Sequence, residues 1–136
     1  MNTKSLAESY LKKALDRLDI LDLLFKKSAF SDVIRESQEI VELSLKGMLR
    51  FVGVEPPKIN DVGSLLLEHE EKFPKDIAKQ LKRLADISKK LRKERELAFY
   101  GDIDFIPTEE YTNKDAKEAI RDARLVVGTA RKLIRT

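Results

Sequence analysis

Apolar residues recur along this chain three and four positions apart, the spacing that gathers side chains on one face of an α-helix. The first such run extends from about Ser5 to Phe25 and aligns Leu11, Ala14, Leu18, Leu21 and Phe25. Lys26 to Ala29 turn the chain, and a second run follows from Phe30 to Val52. Val33, Ile34, Ser37, Val41, Ser44, Leu45, Met48 and Leu49 share its main face, and Ile40, Leu43 and Phe51 widen the apolar arc. An arc that wide needs neighbours on more than one side, so this run is expected to be the central helix.

Gly53 stops the second helix, and Pro56-Pro57 prevents an immediate restart. Asn60 or Asp61 is placed to cap a short helix holding Val62, Leu65, Leu66 and His69. Pro74 fits the first turn of a fourth helix that reaches Tyr100 before Gly101 ends it. Asp102 to Tyr111 reads as an acidic loop with apolar anchors at Ile103, Phe105 and Ile106. Thr112 followed by Asp115 resembles a capping box, and the last helix then repeats Ala116, Ala119, Ile120, Ala123, Val126, Val127, Ala130, Leu133 and Ile134. No strand alternation of useful length and no internal repeat are present. The expected fold is a single all-α domain over residues 1–136, an up-and-down antiparallel bundle of four long helices plus one short helix.

One residue breaks the pattern. The inner face of the fourth helix reads Ile77, Leu81, Leu84, Ser88, Leu91, Arg95, Ala98, so Arg95 continues an apolar stripe. Lys82, Arg83, Lys89, Lys90, Arg92 and Lys93 lie largely off it. A guanidinium aimed at a helix interface needs an acid, backbone carbonyls or a phosphate, because desolvating it unpaired is costly. Tyr100, Gly101 and Asp102 follow at the helix end and add polar groups beside it. Arg95, Tyr100 and Asp102 are therefore the leading candidate constellation.

Composition narrows the chemistry. The chain has no cysteine and one histidine, His69, which excludes thiolate chemistry and argues against a histidine-rich metal site. No cofactor is implied. The amino-terminal segment alternates charge with apolar residues and is not a signal peptide, and no apolar run approaches membrane-spanning length. A cytoplasmic protein without membrane association is expected. The Lys- and Glu-rich composition is of the kind found in heat-adapted proteins. Net charge is +3, but residues 75–96 hold nine bases and four acids, and residues 112–136 seven and three. Such surfaces either attract nucleic acid or nucleotide phosphates, or simply solvate a helical bundle.

Three stretches together resemble the HEPN (higher eukaryote and prokaryote nucleotide-binding) domain family, of the small stand-alone prokaryotic type. SDVIRESQEIVELSLKGMLRFVGVEPP is similar to the family's helix with a Glu-x-x-x-Lys pair, placed here at Glu42 and Lys46. INDVGSLL is similar to the short segment that opens the next helix, with Asn60-Asp61 where the family often has His-Asp. RKERELAFYGDIDFIPTEEYTNKDAKEAIRDARLVV covers the arginine-bearing helix end, the loop and the final helix. The resemblance implies a homodimeric helical bundle and, in many members, a minimal nucleotidyltransferase partner in a toxin–antitoxin-like pair. Some members are metal-independent ribonucleases that use an Arg-x(4–6)-His motif at the dimer interface. Arg95 matches the arginine, whereas Tyr100, Gly101 and Asp102 occupy the positions open to the histidine. An unperturbed tyrosine, with a pKa of about 10, is a poor general base, so the usual cleavage route lacks its proton carrier.

Each candidate also has a structural reading. Arg95 either binds a nucleotide or RNA phosphate or pairs with an acid on the second helix. Tyr100 either stacks on a base or donates a hydrogen bond, and Asp102 either joins a site or caps loop amides. Glu42 and Lys46 are spaced for an intrahelical pair, and Glu42 is also placed to face Arg95 across the bundle. Arg35 and Glu39 repeat that spacing in the opposite order, and His69 lies among acids as a solvent-facing residue. The alanine stripe of the last helix marks a close contact, within the subunit or between two. The leading function is a nucleotide- or RNA-associated accessory subunit, with a ribonuclease of degenerate motif and a non-catalytic dimerisation module as the alternatives.

Overall fold

The apolar period produces helices throughout, and the described residues contain no β-strand. The computed structural model describes residues 3–56, 62–102 and 105–135. Its helices are α1 (Thr3–Lys26), α2 (Phe30–Phe51), α3 (Val62–Glu68), α4 (Lys75–Ala78), α5 (Leu81–Phe99), α6 (Pro107–Glu110) and α7 (Asn113–Ile134), with a 3₁₀ turn at Glu70–Lys72. Helix α2 is the centre, packing against α1, α3, α5, α6 and α7. Its Val33, Ile40, Val41, Leu45, Met48 and Leu49 are essentially inaccessible to solvent. Among the described residues, no helix is long and apolar enough to cross a membrane.

The chain carries more helical segments than the four long and one short helix expected. The stretch from Pro74 to Tyr100 is not one helix. The Gln80 amide bonds back three residues to the Ile77 carbonyl (2.9 Å), closing α4 in a tight turn before α5 starts at Leu81. Ile77, Leu81 and Leu84 are buried on both sides of that break, so the hydrophobic spacing passes through it unchanged. A second departure is α6 inside the expected acidic loop. Pro107 sits in its first turn, where a fixed φ and a missing N–H cost nothing. Phe105 is half-buried as an anchor should be, but Ile106 is 52% exposed and anchors nothing. His69 is half-buried rather than solvent-facing, at the junction of α3 with the 3₁₀ turn. Pro57, Asn60, Asp61 and Ile103 lie outside the described residues.

Helix ends follow local chemistry. At the end of α2, Gly53 and Val54 donate to the carbonyls of Arg50 and Leu49, at 3.0 and 2.9 Å, in the double bond of a Schellman motif. The Thr112 capping box forms as expected: its Oγ1 accepts from the Asp115 amide at 3.2 Å, and Asp115 Oδ2 accepts from the Thr112 amide at 2.9 Å. Ala116, Ala119, Ala123 and Ala130 are buried within the single chain, where α7 packs on α2 and α1, so the stripe serves the subunit's own core.

Gly63 brings α3 against α5. A Cβ added there would stand 2.8 Å from the Ala85 Cα and 3.2 Å from its carbonyl oxygen, both backbone atoms. Gly128, exposed on α7, has nothing within 4 Å of the same position. Gly63→Ala is expected to destabilise by about 1–3 kcal/mol through overpacking. Gly128→Ala should instead stabilise by up to about 1 kcal/mol through helix propensity. Urea unfolding of both variants reads the contrast, and equal effects would contradict the packing.

Candidate functional site

Arg95 lies one turn from the end of α5, on the side that meets α2. It continues the Ile77–Ala98 stripe, but at its margin: the side chain is 43% exposed while Leu91 and Ala98 are buried. Its Nη2 stands 3.9 Å from Glu39 Oε2, an ion-pair distance too long for a hydrogen bond. Among the described residues, Arg95 donates no hydrogen bond. The Glu39 Oε2 atom is itself buried without a hydrogen-bond partner. The acid of α2 that Arg95 meets is thus Glu39, while Glu42, also placed to face it, feels its charge from further away.

Glu42 is held on its own helix. Gln38 Nε2 donates to Glu42 Oε2 at 2.8 Å, and Lys46 Nζ lies 3.1 Å from Oε1. Burial alone would raise the Glu42 pKa. The Gln38 amide, the Lys46 ammonium and the more distant Arg95 charge outweigh it, leaving the carboxyl below its usual value. Glu42 is thus a fixed carboxylate, unsuited to carrying a proton at neutral pH. Glu39, Glu42 and Lys46 follow one another at intervals of three and four, which puts them along one line of α2 facing α5. Gln38 is nearly fully buried, and its Oε1 has no hydrogen-bond partner. Buried polar atoms left in this condition are uncommon. The spacing signal for Glu39 was present in the sequence, but nothing there distinguished it from Glu42. Gln38 gave no signal.

Tyr100 and Asp102 lie beyond the carboxy-terminal end of α5. Tyr100 follows the last residue of α5 and is 74% exposed. Asp102 is exposed too, with its backbone in a two-bond bridge to Phe105 at 3.0 Å each way. That turn requires Gly101, whose φ is +76° and whose added Cβ would come within 2.6 Å of the Phe105 carbonyl oxygen. Among the described residues, no three metal-ligating side chains converge.

A second polar cluster, unforeseen from the sequence, lies around α5 from Arg95. Tyr111 Oη donates to Glu94 Oε2 at 2.6 Å, and burial together with that carboxylate pushes the phenol above its ordinary value. Asp122 on α7 is pushed up from its ordinary value by burial, against the pull of Lys90 and Arg121. Consecutive residues on a helix point about 100° apart, so Glu94 and Arg95 serve different faces of α5.

Residues 7–133 match the HEPN domain family. The chain belongs to the HEPN family. The crystal structure of an archaeal HEPN homologue superposes with a TM-score of 0.67 at 25% identity, covering 94% of this chain and 97% of that one. No curated protein matches the chain significantly. The HEPN match takes in α2, the Arg95 helix and α7, the elements that build both polar clusters.

Two variants test the electrostatics of the Arg95 side. Removing Arg95 breaks only a long, half-exposed ion pair, so Arg95→Ala should change stability by no more than about 1 kcal/mol. Glu42 has its pKa lowered by folding, so its charged form adds stability above the unfolded-state pKa of about 4.3, lost as pH falls through the folded value. Glu42→Gln should be less stable than wild type at pH 7, with the gap closing as pH falls below that range. A gap that does not change with pH, read by thermal unfolding, would contradict the assignment.

Proposed function

We propose that this HEPN domain associates with RNA through Arg95, which contacts a backbone phosphate from the seam between α2 and α5. The observation that carries this reading is a half-exposed guanidinium with no hydrogen bond among the described residues, beside a carboxylate it does not grip. A phosphate offers it two charge-assisted hydrogen bonds that Glu39 at 3.9 Å does not supply. Tyr100, exposed five positions on, supplies a ring on which an unpaired base can stack. Lys46 and Glu42 neutralise one another and hold the floor of the seam.

Family membership supports two extensions. In the first, the chain is a homodimeric accessory subunit of a minimal nucleotidyltransferase, as in a toxin–antitoxin-like pair. In the second, favoured by the match of Arg95 to the ribonuclease motif, the chain cleaves RNA without a metal. Arg95 then stabilises the charge of the transition state, and a residue other than the motif histidine moves the proton.

Titration of labelled single-stranded RNA at near-physiological salt tests the proposal. Arg95→Ala is expected to weaken binding by about tenfold or more, the worth of one charge-assisted contact. Unchanged affinity in the folded variant would overturn it. In the same samples, EDTA-resistant cleavage lost with Arg95→Ala supports the ribonuclease extension, and intact RNA in both removes it. A small nucleotidyltransferase that copurifies with the chain supports the accessory role, and a neighbouring one that fails to do so counts against it.

A further inference from the structure

A cavity of about 210 Å³ opens between α5, α6 and α7. Its wall is apolar and aromatic: Ile34 and Leu91 from α2 and α5, Ala119 from α7, and the rings of Phe105 and Tyr111. The two rings meet edge to face at 5.6 Å and 72°, which fixes their orientation. The charge around this wall is one-sided. Among the described residues that line it, Glu94, Glu110, Asp115, Glu118 and Asp122 face one cation, Lys90, with Arg121 and Arg83 acting on Asp122 from outside the lining. Lys90 is already paired with Glu118 across α5 and α7. Asp115 is held by the Thr112 cap, and Glu94 accepts the Tyr111 hydroxyl. Asp122 is half-buried and accepts no hydrogen bond among the described residues.

Size and sign together select the occupant. The space is smaller than the roughly 300–1,000 Å³ of sites that hold drug-sized ligands, so what it encloses is a small group. Its charge repels phosphate and carboxylate. A short aliphatic chain matches the wall, and a positive end group matches the carboxylates. We propose that this cavity binds a small free aliphatic amine as its primary ammonium form. The carbon chain lies against Leu91, Phe105 and Ala119, and the ammonium sits between Asp122 and Glu94. The site is independent of Arg95 and of the RNA reading, because it opens on another face of α5.

The test is an amide-resolved NMR titration of the full chain with n-butylammonium, with n-butanol as a neutral match of size and sodium chloride as the salt control. Butylammonium is expected to give saturable shifts confined to the cavity lining, with a Kd on the order of millimolar. Asp122→Asn should raise that Kd by about fivefold, a partly exposed charge contact being worth up to about a factor of that size. Glu94→Gln reads the same contact from the other wall and should also weaken binding. The proposal is overturned if n-butanol saturates the same amides with equal affinity. It is equally overturned if the shifts are linear and scattered over surface acids, or if both folded variants bind as wild type does.

Discussion

The burial of α2 on nearly all sides is the constraint from which the rest of this bundle follows. A helix enclosed by α1, α3, α5, α6 and α7 has little surface left for water, so its polar residues must be satisfied within the protein or remain unsatisfied. Ser44 solves this by donating to the Ile40 carbonyl at 2.8 Å. Gln38 solves half of it, donating from its side-chain nitrogen to Glu42 and leaving its oxygen without a partner. Glu39 leaves one carboxylate oxygen in the same condition next to Arg95. The packing that stabilises the fold thereby also fixes a row of polar groups at the α2–α5 seam. Rigid support from a buried helix is what a binding group needs if it is to be aimed without further ordering cost.

Helix α5 divides the electrostatics of the molecule. One side presents Arg95 to the α2 seam, and the next residue, Glu94, joins Tyr111 at the mouth of a carboxylate-rich cavity. The outward side is basic, though part of its charge is spent locally in pairs such as Lys82–Asp86 and Lys90–Glu118. The α7 cations are also partly paired, Arg124 with Asp22 and Lys132 with Asp76. Positive balance in the sequence therefore does not translate into a uniform phosphate-attracting surface. Arg50 meets Glu55 at the same 3.9 Å, so what sets Arg95 apart is its place on the α2–α5 seam, beside Glu39 and within electrostatic reach of Glu42.

Helix identity, the central place of α2 and the Thr112 cap were legible because each rests on local spacing or on one side chain reaching three residues along the chain. The break between α4 and α5 was not legible, since Ile77, Leu81 and Leu84 keep a helical interval across it. Helix α6 was hidden because its apolar flank, Ile106, looks like an anchor in sequence and is exposed in space. At the site, Arg95 announced itself by interrupting an apolar stripe. Its partner did not, because Glu39 and Glu42 lie three residues apart on one helix line and only the relative rotation of α2 and α5 chooses between them. The cavity was invisible for a similar reason. Its lining comes from α2, α5, the α6 region and α7, whose juxtaposition is tertiary.

In the proposed reading, Arg95 is the residue of this HEPN domain that meets phosphate. Its side-chain Nε–H resonance can be followed by NMR while unlabelled single-stranded RNA is added to the full chain. A saturable shift of the Arg95 signal is expected, accompanied by α2 amides near Glu39 and Glu42, with Tyr111 and Asp122 unmoved. Saturable shifts along the outer faces of α5 and α7 with the Arg95 signal unchanged would contradict it.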